Sequence, residues 1–130
     1  MTIEERIDLS ETRVCSTVFP FLTNHHDTLF GGKALAIMDE VAFMAATRFC
    51  RKPLVTVSSD RINFEQAIPS GSIIEAVARV DHVGRTSIRV RVKIYLEKMY
   101  EQFREQAIEG VFTFVALGPD KKPIPILEGI

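Results

Sequence analysis

The chain has 130 residues, 46% of them hydrophobic and 25% charged, with a formal net charge of −1. That length suits one ordinary domain with a core of its own. The balanced charge excludes the basic footprint of a nucleic-acid-binding domain. Two cysteines, Cys15 and Cys50, make no disulfide framework and point to a reducing compartment. The start, MTIEERIDLSETR, lacks the basic and apolar regions of a signal peptide. No apolar run approaches the roughly 18 residues that a membrane span needs. A cytoplasmic protein is expected.

No repeat, low-complexity tract or Gly/Ser linker divides the sequence, so residues 1–130 are read as one domain. Residues 12–19, TRVCSTVF, alternate loosely as a first strand. A polar loop, 20–30, leads to Gly31-Gly32. KALAIMDEVAFMAATRFC then reads as a helix of about five turns, free of Gly and Pro. Arg51-Lys52-Pro53 stops it, since basic residues suit a helix C-terminus and Pro refuses continuation. Four β-rich runs follow: LVTVSSDRINF, SIIEAVARVDHV, SIRVRVKIYLEK and EGVFTFVAL. In the third, Ile88, Val90, Val92, Ile94 and Leu96 alternate with Arg89, Arg91, Lys93 and Tyr95, giving one apolar and one wet, basic face. IPSGS and VGRTS punctuate the strands as turns. One strand, one long helix and four strands in succession predict an α+β fold with a mainly antiparallel meander.

Wound at 100° per residue, the helix places Lys33, Glu40 and Thr47 on a narrow polar stripe. The rest of its circumference is largely apolar, so partners must wrap it. Glu40 is expected in water and Asp39 buried on the apolar side, where a carboxylate needs partners or becomes neutral. Gly32 lies on the same helical face as Asp39. Gly31-Gly32 offers unpaired N–H groups and the positive dipole end, suited to an oxyanion, although glycines there also serve a tight turn. His25 and His26 lack further ligands at metal spacing, and loop histidines are usually solvated. Asp27 suits the turn or a helix cap, and Asn24 suits a turn or a held water. No G-x-S-x-G elbow, dinucleotide fingerprint or P-loop is present, so hydrolysis would rest on a carboxylate.

TNHHDTLFGGKALAIMDE, VTVSSDRINF, PSG, VGRTSIRVRV and VFTFVAL stand in the order and spacing of the hotdog-fold acyl-CoA thioesterases. Nearly the whole chain resembles the acyl-CoA hydrolase (YciA-like) group of that family. The resemblance implies a single hotdog domain, a curved sheet wrapped around one long central helix. It implies hydrolysis of fatty acyl-CoA to free acid and CoA, with Asp39 as general base or nucleophile and Asn24 supplied by the paired subunit. Gly31 and Gly32 would hold the oxyanion, Thr56 would line the site, and Arg85 would meet a CoA phosphate. Some relatives carry a loop acid where Thr28 stands here, with Asp27 one position away, which favours Asp39 as the acting carboxylate. No metal or separate cofactor is implied, since CoA belongs to the substrate. A homodimer is the minimal unit implied, with a trimer of dimers as the larger assembly. A purine nucleotide competing for the CoA rim is suggested by CoA chemistry alone. An acyl-CoA sensor, a hotdog dehydratase or hydratase, and a ligand-free structural oligomer are the competing readings. Acyl-chain length is open.

Overall fold

A capping box begins the chain. Thr2 Oγ1 accepts from Glu5 N at 3.0 Å, and the Glu5 carboxylate accepts from Thr2 N at 3.2 Å. They start α1 (Ile3–Ser10) in the computed structural model, whose described residues are 1–128. No expected element covers these residues. Eight residues are too few to be helical alone, and two arginines fasten them. Arg6 donates to Phe49 O at 2.7 Å, and Arg48 donates to Leu9 O at 3.0 Å and Glu11 O at 3.1 Å.

The chain continues as β1 (Thr12–Thr17), a 3-10 turn (Pro20–Leu22) and α2 (Gly31–Cys50). The strands β2 (Leu54–Phe64), β3 (Ile73–Val83), β4 (Ser87–Glu97) and β5 (Arg104–Ala116) follow. α2 starts two residues before the predicted run. It ends where predicted, with Arg51 in the left-handed region (φ 54°) donating its N–H to Thr47 O at 2.6 Å.

All pairings are antiparallel, in the order β1-β3-β4-β5-β2. The predicted meander is correct for β3, β4 and β5. It fails for β2, which pairs with β5 at the far edge, so the 65–72 connection crosses the sheet. Alternation gives a strand its faces but not its neighbours, which explains the difference.

α2 touches all five strands, which a sheet allows only by curving around it. This is the expected hotdog arrangement. Ala34, Met38, Val41 and Ala45 of α2 are buried against Ala78, Val90, Val92 and Phe114. Each large apolar side chain enclosed this way contributes about 1.5–3 kcal/mol. The wrapping is one-sided, however. Ala36 is exposed, Phe43 is 42% exposed, and β2 beside them exposes Val55, Val57 and Phe64. Asp39 lies next to that open flank and is half-buried, not buried as the helical wheel predicted. The wheel identified an apolar side, and the sheet covers only part of it.

Candidate functional site

β2 is irregular where it passes α2. One register shift lies between Thr56 and Ser58, leaving Val57 unpaired, and a second lies between Asp60 and Asn63. Within the second, Arg61 adopts a left-handed φ of 53°. Such bulges bend a strand and re-aim its side chains. Ser58-Ser59-Asp60, which interrupt the apolar alternation, are the sequence signal for them, absent from the expectations above.

Thr56 pairs with Phe114, whose side chain is fully buried, so Thr56 shares the face that looks onto α2. Its hydroxyl donates to Asp39 Oδ1 at 3.0 Å. The second Asp39 oxygen accepts from no protein group among the described residues. The carboxylate is therefore oriented by one strand while keeping a free, water-accessible oxygen. Glu40 is exposed, as predicted.

The loop before α2 is built around Asn24. Its Oδ1 accepts from His26 N (2.9 Å), Thr28 N (3.3 Å) and Thr28 Oγ1 (3.2 Å). This side-chain turn replaces backbone partners the loop lacks. The loop is clamped further by Leu29 N to Ile68 O at 2.7 Å and Ser70 N to Asp27 O at 2.8 Å. With three donors on Oδ1, the amide NH2 of Asn24 is the end left free among the described residues. Asp27 takes a left-handed turn position (φ 59°) and does not cap α2. His25 and His26 lie exposed at the loop's tip with ring centroids 3.9 Å apart.

α2 begins without a side-chain cap among the described residues; Phe30 is the N-cap. The first-turn N–H groups at Gly31 and Gly32 are left without helical partners. A Cβ added at Gly32 would meet nothing within 4 Å, and one at Gly31 only Phe64 Cζ at 3.9 Å. Neither glycine has the positive φ that demands glycine. Within one chain, then, nothing crowds this helix start, and it is open to an incoming anion or carbonyl.

These groups fall into two halves. Asn24, Thr28, Gly31 and Gly32 gather at the helix start, whereas Asp39 and Thr56 lie about 12 Å further along α2, eight residues at 1.5 Å each. One chain does not bring the halves together. Arg85, exposed in the turn between β3 and β4, stands at the opposite end of the sheet from the loop, roughly 33 Å of strand away. Of the basic stripe, Arg91 is already paired with Glu109 (3.0 Å) and Asp81 (3.3 Å), which raises its guanidinium pKa. It belongs to an ion-paired outer face. Further along that face, Arg104 binds Glu75 at 2.7 Å and holds that carboxyl below its ordinary value. Among the described residues no three His, Cys, Asp or Glu side chains are grouped to hold a metal ion, and no helix is long and apolar enough to cross a membrane.

A curved sheet around a helix that carries an oriented carboxylate and an open glycine start defines a hotdog thioesterase domain. Residues 26–102 match the thioesterase superfamily, and the chain belongs to that family, in its acyl-CoA hydrolase branch. The Bacillus subtilis (strain 168) protein named uncharacterized acyl-CoA thioester hydrolase YkhA is 38% identical over 92% of this chain and 74% of its own length. An acyl-CoA hydrolase of Staphylococcus aureus, solved with butyryl-CoA, CoA and CoA disulfide, superimposes with a TM-score of 0.87 at 34% identity, covering 92% of this chain and 73% of that one. Alanine variants of that enzyme have been solved at an asparagine, an aspartate and a threonine whose mutual spacing equals that of Asn24, Asp39 and Thr56. A hexameric acyl-CoA thioesterase matches with a TM-score of 0.88 at 34% identity, over 92% of this chain and 76% of that one.

Proposed function

We propose that this protein hydrolyses acyl-CoA thioesters in a site shared by two copies of the chain. The Asp39–Thr56 pair carries the reading: a carboxylate fixed through one oxygen, with the other free to act. Asp39 takes a proton from water as that water attacks the thioester carbonyl, or attacks the carbonyl itself. The oxygen that becomes negative is stabilised by the N–H groups of Gly31 and Gly32 from the other copy. Asn24 from that copy offers its free NH2 to the carbonyl or the water. Collapse of the adduct breaks the carbon–sulfur bond. CoA leaves as a thiolate that takes up a proton. On the water route the free acid remains. On the direct route the acyl group stays on Asp39 as an anhydride, which a water then cleaves to the free acid and the carboxylate.

Two observations support a two-copy site. The halves are about 12 Å apart within one chain, and the exposed Val55, Val57 and Phe43 line the flank between them. An antiparallel dimer across that flank would set each Asp39 opposite the other chain's helix start. Assembly of such dimers into a hexamer is supported by the hexameric relative. Arg85 is assigned to a CoA phosphate because its guanidinium makes no ion pair among the described residues and its turn is exposed. Asp27 and Thr28 act on the loop's shape and have no chemical step. A cytoplasmic location suits the exposed, unpaired thiol of Cys15.

The test is release of free thiol from acyl-CoA esters by the wild type and by Asp39→Ala. Hydrolysis that disappears in the variant, with fold and oligomer intact, is the expected result. Full activity in the variant removes Asp39 from the mechanism.

A further inference from the structure

The first turn of α2 runs against the usual placing of charge. Its unpaired N–H groups form the positive end of the helix dipole, which favours acids there and disfavours bases. Gly31, Gly32 and Lys33 fill that turn with no acid and no side-chain cap, so the Lys33 ammonium adds to the positive end. Lys33 is exposed and has no ion pair among the described residues. Seven residues on, and therefore on the same stripe, stands Glu40, equally exposed and equally without an ion pair among the described residues. Within one chain the two stand about 10.5 Å apart along the helix axis and make no bond to each other.

Between them lies Ala36, exposed, with no side chain long enough to keep a second helix away. It divides the pair almost evenly: Lys33 lies about 4.5 Å before it along the axis and Glu40 about 6 Å after it. A two-fold axis at Ala36 that sets a second α2 antiparallel to the first has a definite result. Lys33 of each copy comes level with Glu40 of the other, to within about 1.5 Å, at two places. The same rotation brings Asp39 of each copy level with the first turn of the other. Asp39 is half-buried and already accepts from Thr56, so Glu40 is the acid available to Lys33. Past Glu40 the exposed Phe43 continues the stripe toward the exposed Val55 and Val57 of β2, an apolar border to the charged contact.

We propose that Lys33 of each copy pairs with Glu40 of the other across an antiparallel α2–α2 contact, and that this doubled pair sets the register of the shared site. The register is the one that brings Asp39 of one chain to Asn24 and the glycine N–H groups of the other. The proposal rests on the two-copy reading and deepens it by naming the residues that align the halves. Lys33 and Glu40 are positioning residues, and neither touches the thioester. Opposite charges across a contact contribute modest affinity, whereas like charges in the same place cost several kcal/mol and exclude wrong alignments. A parallel helix pair sets Lys33 against Lys33 and Glu40 against Glu40, and a pair slid by a turn separates the partners. Lysine at position 33 thus disfavours the isolated helix start slightly and is balanced only in the assembled pair.

The experiment exchanges the charges. Subunit dissociation is measured by sedimentation, without substrate, for the wild type, Lys33→Glu, Glu40→Lys, the double exchange of both, and Lys33→Arg. Each single reversal puts like charges face to face twice, so its dissociation constant is expected to rise by on the order of 10²-fold, and by less in high salt. The double exchange restores opposite charges and with them wild-type association, and Lys33→Arg keeps it. Lys33→Glu also removes the charge that opposes the helix dipole, so a folded chain with wild-type circular dichroism is expected, not an unfolded one. Thiol release from an acyl-CoA ester should follow association: lost on dilution in the single variants, regained at high protein concentration and in the double exchange. Single variants that associate like the wild type, or a double exchange as weak as the singles combined, overturn the pairing. A wild type that stays monomeric at micromolar concentration overturns the two-copy site itself. A wild type that dimerises but hydrolyses no acyl-CoA overturns the thioesterase reading, and the sedimentation result then decides the pairing alone.

Discussion

Thr56 and Asp39 are joined by one 3.0 Å hydrogen bond that crosses from an edge strand to the middle of the central helix. The bond occupies one carboxylate oxygen, and the other accepts from no protein group among the described residues. Removing the hydroxyl should therefore misplace the carboxylate without abolishing it. Thr56→Val is expected to lower kcat by about tenfold, while Asp39→Asn lowers it by 10²–10⁴-fold, the usual range for losing a general base. Steady-state thiol release measures both. Equal losses in the two variants would mean that Thr56 does more than orient Asp39.

Asn24 has two ends with different duties. Its oxygen accepts three hydrogen bonds that shape the loop, and its NH2 is free among the described residues. Asn24→Asp keeps the acceptor and removes the donor, whereas Asn24→Ala removes both. Both variants are expected to lose on the order of 10²-fold in kcat. Only the alanine variant should also lose stability, by about 1 kcal/mol for the unmade bonds. Comparing kcat with urea unfolding separates the duties, and wild-type rates in Asn24→Asp would take the amide out of the chemistry.

His25 and His26 lie in solvent at the tip of the loop with their ring planes tilted by 42°. Replacing either by alanine should change kcat/KM by less than about twofold, as for other exposed sites away from the chemistry. A large loss for one of them, together with hydration of enoyl thioesters, would support a dehydratase or hydratase instead.

Acid should loosen the outer face of the sheet. Glu75 is held below its ordinary value of 4.5, chiefly by the hydrogen bond from Arg104, with Arg13 adding charge and partial burial opposing them. A carboxyl depressed on folding adds stability above its unfolded value and loses it as pH falls through the folded one. The contribution of Glu75 is thus whole at neutral pH and fades below about pH 4.5. Glu75→Gln should lower the urea midpoint at neutral pH, and the gap from wild type should narrow as the solution is acidified. A gap independent of pH would show that the Glu75 charge is not what stabilises.

The long helix, its stop at Arg51-Lys52-Pro53 and the alternating β4 were legible because each is a local pattern read at its own period. The place of β2 was not, because pairing is decided by which edge remains free after β3, β4 and β5 have closed together. The helix α1 was missed for a related reason. Its anchors, Arg6 and Arg48, act on carbonyls 43 and 39 positions away. At the candidate site, helical position and residue type pointed to Asp39 and the glycine pair, and the family resemblance supplied Asn24. They did not show that Asn24 spends its oxygen on its own loop. Exposure of Asp39 was misjudged because a helical wheel records direction, and coverage depends on what arrives there.

The two irregularities of β2 also cancel. Each adds one residue against β5, so the first reverses which side chains face the helix and the second restores the order. Thr56 and Phe64, one on either side of the pair, both look inward although a reversed stretch lies between them. Loss of either extra residue alone would turn one end of the strand inside out, putting Thr56 or Phe64 on the wrong side of the sheet. Loss of both would shorten the strand and leave its two ends correctly facing. Lengthening or shortening this strand in a relative is therefore tolerable in twos, and a single-residue deletion here should be among the most damaging changes the chain can suffer.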